Sequence, residues 1–263
     1  MKKKILISGS SGYIGTALVK KLKRKKIFFS SIKTKKILKK DFGRNISHFI
    51  HLGFDTRKEN CNIKYQLEII RKIISSSKHF NFKIIFFSTS CGGKKNKRKL
   101  FKNNNYQIAK FFCERELFKN KRFKIDFAIL RIFNLYGPKQ EKKNIIPDIK
   151  VKILNAKNNK IKIIHPKTCR DFLFIDDLID LILKCIKQKK LNNEVYEVGT
   201  GVGTSLEKVY KEVRNILKKN IEFEYHYPLY DKVRHTKAYI GKTKKKFRWK
   251  PYFKLKKGLE KIL

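Results

Sequence analysis

Acidic residues are the first shortage. Against 67 Lys+Arg, the 263-residue chain carries only 21 Asp+Glu, a formal charge of +46. A basic excess gathered on one face would mark a nucleic-acid or anionic-membrane surface. Here lysines lie in every segment, both termini included, beside abundant Ile, Asn and Phe, which reads as a compositional bias that filled exposed positions with lysine. A nucleic-acid partner is not expected, and a non-catalytic RNA-binding or scaffold role stands as the alternative class. Cysteine lacks any useful pattern. Cys61, Cys91, Cys113, Cys169 and Cys185 are scattered, with no C-x-x-C pair and no histidine at ligand spacing, so neither a metal site nor a disulfide framework is expected. Reduced thiols suit a cytoplasmic protein. No apolar run approaches the ~18 residues of a membrane span, and "MKKKILISGS" lacks the h-region of a signal peptide. A soluble, cytoplasmic chain is the expectation.

What is present is alternation. "KKILISG" (3–9), "KIFFSSI" (26–32), "SHFIHLG" (47–53), "FKIIFFS" (82–88) and "FKIDFAILRI" (123–132) are apolar on both faces, as parallel strands covered by helices must be. Helical patterns at 12–25, 60–79 and 104–120 lie between them, which predicts a Rossmann-like, doubly wound parallel α/β sheet. The stretch "KTKKILKKDFGRN" between strands two and three is too short for a comfortable helical crossover. Beyond residue 138 the elements shorten. Helices are predicted near 144–157, 175–189, 204–219 and 254–263, with strands near 161–164, 194–198 and 221–226. No linker rich in Pro, Gly or Ser separates the two parts, so 1–138 is read as a dinucleotide-binding domain and 139–263 as a smaller substrate-binding lobe rather than an independent domain.

Gly9, Gly12 and Gly15 follow the first strand and open the first helix. In that context Gly9 permits the tight turn, Gly12 lets backbone approach a pyrophosphate, and Gly15 allows close helix–sheet packing. Free N–H groups and the dipole at the helix N-terminus would hold the diphosphate. A carboxylate is expected about 20 residues further on to bind the adenosine ribose, yet "SSIKTKK" offers Ser31, Lys33 and Lys35 instead. Lysines and hydroxyls attract a 2′-phosphate, so NADP is favoured, with NAD left open.

"NNNYQIAKFFCERE" puts Tyr106 and Lys110 at i, i+4 on one helix face. A lysine ammonium, helped by a cofactor ribose, lowers a tyrosine pKa of about 10 toward the working range of an acid–base group. Alone, the pair could equally be a solvated helix face. Its position opening the helix after strand four is what gives it weight, because that strand ends in Ser88, Thr89 and Ser90. Those hydroxyls could bind a substrate oxygen or merely cap the strand. His51, on a buried strand, reads as a satisfied core histidine. Asp176 and Asp177 stand where helix caps stand, and "KLKKGLEKIL" reads as a docking helix rather than a membrane-surface element.

Taken in order, "GSSGYIG", "FIHLG", "STS", "YQIAK", "LRIFNLYGP", "CRDFLFIDDL", "VYEVGTG" and "FRWKP" resemble the extended short-chain dehydrogenase/reductases, in the NAD-dependent epimerase/dehydratase group acting on nucleotide sugars. The resemblance covers essentially the whole chain. It implies Tyr106 as acid–base, Lys110 as its partner and ribose ligand, and Thr89 as the hydroxyl polarising the reacting oxygen, with Ser90 on the substrate side. It implies a cofactor set of Gly9, Gly12, Tyr13, Ile14, Gly15, Lys33 and Asp41 together with Tyr106 and Lys110. Asn62 matches the asparagine of the central helix. Asn134 and Arg170 match substrate ligands, Arg170 with a fork suited to a diphosphate, and Arg234 is a second such contact. Within the family the C-terminal stretches are most like abequose/paratose synthase-type reductases. Enzymes of the family that dehydrate sugars carry Asp-Glu directly after the threonine. Ser90 and Cys91 stand there instead, and the interval from Thr89 to Tyr106 is short. A nucleotide-sugar oxidoreductase is therefore expected, reducing a 4-keto group, with a 4-epimerase holding NAD tightly as the alternative and a homodimer as an admissible assembly.

Overall fold

The computed structural model describes residues 3–39, 42–55, 61–90, 104–227 and 235–263. In chain order the elements are β1 (Lys4–Ser8), α1 (Tyr13–Arg24), β2 (Phe29–Ile32), β3 (Ile46–His51), α2 (Ile63–Phe80), β4 (Lys83–Thr89), α3 (Asn105–Lys119) and β5 (Asp126–Ile132). There follow β6 (Asn134–Tyr136), α4 (Ile145–Leu154), β7 (Lys160–Ile164), β8 (Cys169–Arg170), β9 (Phe172–Phe174) and α5 (Ile175–Ile186). The chain ends with β10 (Glu194–Val198), β11 (Thr204–Ser205), α6 (Leu206–Ile216), β12 (Glu222–His226), α7 (Gly241–Phe247) and α8 (Leu255–Glu260). Two units result: Met1–Ile132 with Ile179–Glu197, and Phe133–Leu178 with Val198–Leu263.

The first unit is built on a six-stranded sheet in the order β10-β5-β4-β3-β1-β2. The β1–β2, β1–β3, β3–β4 and β4–β5 pairs are parallel. Ile7, Phe49, Ile50, Ile84 and Ile85 are fully enclosed, so both faces are covered over the central strands, which read as unbroken apolar runs. β2, at the sheet edge, buries only Ile32. α1 buries Gly15, Leu18 and Leu22, a single stripe at helical spacing. The Asn62 side chain accepts the Tyr65 N–H at 2.9 Å and that of Asn104 accepts the Gln107 N–H at 3.1 Å, capping α2 and α3. Asn62, matched by resemblance to a central-helix asparagine, is thus occupied as a cap. Phe42, Phe49 and Phe82 meet edge-on or tilted, with Phe42 and Phe49 centroids 5.3 Å apart. Such pairs add about 0.5–1.5 kcal/mol each beyond burial.

Between β2 and β3 the described residues hold only a 3₁₀ turn, Thr34–Lys36, in keeping with the short connection. With β2 on one side of β1 and β3 on the other, the strand order reverses at β1. This is the Rossmann-like, doubly wound arrangement, whose ligands bind beyond the carboxyl ends of the strands at the reversal. Residues 179–197 lie with this sheet, whereas a linear division of the chain assigns them to the second lobe. The link is non-local: the Asp126 carboxylate accepts the Leu191 N–H at 2.7 Å, and the Asn193 side chain accepts the Phe127 N–H at 2.8 Å.

The second unit has three two-stranded sheets, β6–β9 and β7–β12 parallel and β8–β11 antiparallel. Asp177 stands in the first turn of α5, where an acid suits the helix dipole, and it also tethers the C-terminal segment. Its carboxylate accepts the Tyr252 and Phe253 N–H groups at 2.9 and 3.0 Å, and its carbonyl accepts the indole N–H of buried Trp249 at 3.0 Å. Asp176 is exposed and lies 3.7 Å from Lys261. α8 docks through Gly258 and Leu259, and a Cβ on Gly258 would collide with the Tyr136 hydroxyl. Among the described residues no helix is long and apolar enough to cross a membrane.

Candidate active site

The glycine turn after β1 closes on itself. Gly9 has φ +73°, and a Cβ there would run into the Gly53 backbone. A Cβ on Gly15 would fall on the Gly9 carbonyl oxygen and the Ser10 backbone, so Gly15 lets α1 start tightly against the turn that leaves β1. Gly12 is different. It is exposed, and a Cβ would find only an ordinary 3.4 Å contact, leaving open space above it. Gly12 has no side chain to cap α1, whose first turn, Tyr13, Ile14 and Gly15 included, contains no acid. Backbone donors and the dipole there suit an anion. The turn therefore fits the diphosphate of a dinucleotide.

Gly53 was not foreseen, although the "HLG" ending carried the signal. A side chain there would strike the Thr34 hydroxyl, which donates to the Gly53 carbonyl at 3.3 Å. The carboxyl ends of β1 and β3 and the turn after β2 are thereby drawn together. Ser31, Lys33 and Lys35 are exposed there. Asp41 lies outside the described residues.

On β4 and α3 the structure brings Tyr106 and Lys110 together. Lys110 is 2 % exposed, and its ammonium donates to the Phe87 carbonyl at 2.5 Å. Its Nζ lies 3.6 Å from the Phe54 ring centroid, 4.8 Å from Phe86 and 5.6 Å from Tyr106. Phe54 also meets the Tyr106 ring edge-to-face at 5.7 Å. Burial pulls the Lys110 amine down to about 7, against the opposing pull of Cys113, Cys61 and Glu114. Thr89 ends β4, two residues beyond the carbonyl that anchors Lys110, and Ser90 follows it; both are half-buried. One turn beyond Lys110, Glu114 accepts a bidentate pair from Arg131 of β5 at 3.0 and 2.5 Å, fixing α3 against the sheet.

His51 is half of what the sequence suggested. Nδ1 lies 2.7 Å from the Ser8 hydroxyl, Nε2 finds no hydrogen-bond partner among the described residues, and the ring is stacked on Phe86. Burial first, then the Lys110 charge, lowers its pKa to about 3, so it stays neutral.

The second unit places Asn134 on β6 and Arg170 on β8, opposite Thr204 of β11. The Asn134 backbone and side-chain N–H groups both donate to the Asp171 carbonyl, at 3.0 and 3.2 Å. Asp171, which sequence reasoning passed over, is fully buried. Its Oδ1 accepts the Thr200 N–H and hydroxyl at 2.7 and 2.6 Å, and its Oδ2 accepts the Gly201 and Ala238 N–H groups at 2.9 and 3.1 Å. Arg234 lies outside the described residues.

The chain is 28% identical over 144 residues to CDP-abequose synthase of Salmonella typhimurium, covering 53% of this chain and 48% of that protein. It spans about half the length of the first curated relatives it matches. A UDP-glucose 4-epimerase from Thermotoga maritima, solved with UDP-glucose, has the same fold with a TM-score of 0.78 at 22% identity, over 98% of this chain and 96% of that one. RMD from Pseudomonas aeruginosa, solved with NADPH, superposes with a TM-score of 0.80 at 18% identity, over 100% and 98% of the two chains. At these identities the solved structures speak for the fold, while the motif order finds its match in a sequence model spanning residues 5–199. With that match, the chain belongs to the NAD-dependent epimerase/dehydratase family.

Proposed function

We propose that the chain is a nucleotide-sugar oxidoreductase that reduces a 4-keto group on a nucleotide-linked deoxy sugar, with NADP(H) preferred over NAD(H). The observation that carries this reading is the buried amine of Lys110, held on the β4 carbonyl of Phe87 and facing the Tyr106 ring. When bound, the nicotinamide supplies the hydride. Tyr106 gives the matching proton to the sugar oxygen, and a protonated Lys110 favours the phenolate that Tyr106 then becomes. Thr89 donates a hydrogen bond to the same oxygen. In the second unit, Arg170 and Asn134 bind the nucleotide diphosphate and the sugar. Ser90 follows Thr89 on the substrate side, where a dehydratase would carry a carboxylic acid.

Exposed Ser31, Lys33 and Lys35, with no carboxylate among them, support NADP, while proteins of like fold have been solved with NADPH and with NAD. A 4-epimerase is the second reading, supported by likeness to proteins described as UDP-glucose 4-epimerases. Turnover of 4-keto nucleotide sugars with NADPH, followed by product analysis, tests both. Stoichiometric NADP⁺ release marks a reductase, whereas redox-neutral interconversion with retained cofactor marks an epimerase. A protein that binds neither NADPH nor NADH ends the enzymatic reading.

A further inference from the structure

In the second unit a single carboxylate joins segments that are far apart in sequence. An ionised Asp has about four acceptor sites, and Asp171 fills them with the Thr200 N–H and hydroxyl and the Gly201 and Ala238 N–H groups. Its carbonyl takes both Asn134 donors. Gly199 lies so close that a Cβ would sit 2.6 Å from Oδ2 and 2.7 Å from the Ala238 Cβ. The glycines of "VGTG" are thus accounted for here: Gly199 by proximity, and Gly201 by φ +79° and its bond to Oδ2. The flanking residue Arg170 is paired across β8–β11 with Thr204, three residues beyond Gly201.

Resting on the reading of Arg170 and Asn134 as substrate ligands, the geometry points to Asp171 as the positioning residue for nucleoside-diphosphate binding. Its oxygens are already engaged by protein donors, so it acts through its neighbours rather than on the ligand. It holds the Asn134 backbone on one side and the 200–201 and 238 segments on the other, and these fix where the Arg170 fork is presented. Burying an ionised group is tolerated only when it is fully hydrogen-bonded, and Asp171 meets that condition by gathering these segments.

The test is calorimetric binding of CDP, UDP, dTDP and GDP, their monophosphates, and NADPH to the full chain. Asp171→Asn replaces one acceptor with a donor that faces backbone N–H groups. It should weaken diphosphate binding by about tenfold or more, the scale of a lost charge-assisted hydrogen bond, and abolish the advantage of diphosphate over monophosphate. NADPH affinity should stay within about twofold, a selectivity that general destabilisation would not produce. Thr200→Val, which removes one hydroxyl donor, should cause a smaller loss in the same direction and serves if Asp171→Asn fails to fold. In an Arg170→Ala background either change should add little, because both act through the same contact. Equal loss of NADPH and diphosphate binding, or full additivity with Arg170→Ala, would overturn the inference and leave the functional reading standing. A wild-type chain that binds NADPH but no nucleoside diphosphate would overturn the functional reading, and this inference with it.

Discussion

The two units build their sites in opposite ways. In the first, the candidate residues themselves lie close in the chain: Gly9, Gly12 and Gly15 in a single βα turn, Tyr106 and Lys110 one helical turn apart. Gly53, Phe54 and Phe87 reach them from other segments. In the second, the segments gathered beside Arg170 in the chain come from positions near 134, 200 and 238 and are joined by the carboxylate and carbonyl of its neighbour Asp171. A local site survives as a sequence motif. A site gathered by a buried charge is visible only as scattered residues whose common purpose is geometric.

The largest effect that tests this contrast is in the local site. Tyr106→Phe keeps the ring and its edge-on contact with Phe54 but removes the exchangeable proton. Turnover should fall by about 10² to 10⁴, the usual worth of general acid–base catalysis, while cofactor affinity persists. Near-normal turnover would remove Tyr106 from the chemistry and, with it, the claim that the local motif is catalytic.

Next in size is the second unit. Arg170→Ala should weaken nucleotide-sugar binding by roughly 2–4 kcal/mol, the scale for truncating a partner in a buried charge pair. NADPH affinity should barely change. A loss confined to the cofactor would assign Arg170 to the wrong ligand.

A third prediction sharpens the first unit through pH. Burial holds Lys110 at about 7 in the fold, against about 10.4 when unfolded. Between those values the unfolded chain binds more protons, so stability should rise with pH over that window. Lys110→Met should lose this part of the rise, and its advantage over wild type should shrink as pH increases, by at most ~1.4 kcal/mol per unit. Urea titrations at neutral and alkaline pH measure it. Parallel pH dependences for the two proteins would show that the amine is not desolvated as described.

Smallest is cofactor choice. NADPH should bind at least several-fold more tightly than NADH, because Ser31, Lys33 and Lys35 present hydroxyl and ammonium groups without a carboxylate. Equal affinities would leave the fold untouched and cancel this reading of the exposed β2 edge.

Much of the fold was legible because its physics is periodic. Strands covered on both faces must be apolar throughout, so β1, β3, β4 and β5 stood out, as did the helical pattern over 12–25 that becomes α1. β10 was legible as a strand but not as part of the sheet, since its place depends on Asp126 and Asn193 bonding across the chain. Asp177 was legible as a cap candidate, and its tethering of Tyr252 and Phe253 was not.

By itself the sequence determined the doubly wound sheet, the glycine turn and the Tyr106–Lys110 pair, because each follows from residues close enough in the chain to be fixed by strand and helix repeat. The tertiary structure alone decided that Gly53 must be bare so that Thr34 and Gly9 can approach it, that Phe54 covers the Lys110 amine, and that Asp171 gathers the second unit's loops. The physical reason is the same in each case. Steric exclusion, desolvation and satisfaction of a buried charge are properties of neighbours in space, and no spacing along the chain encodes them.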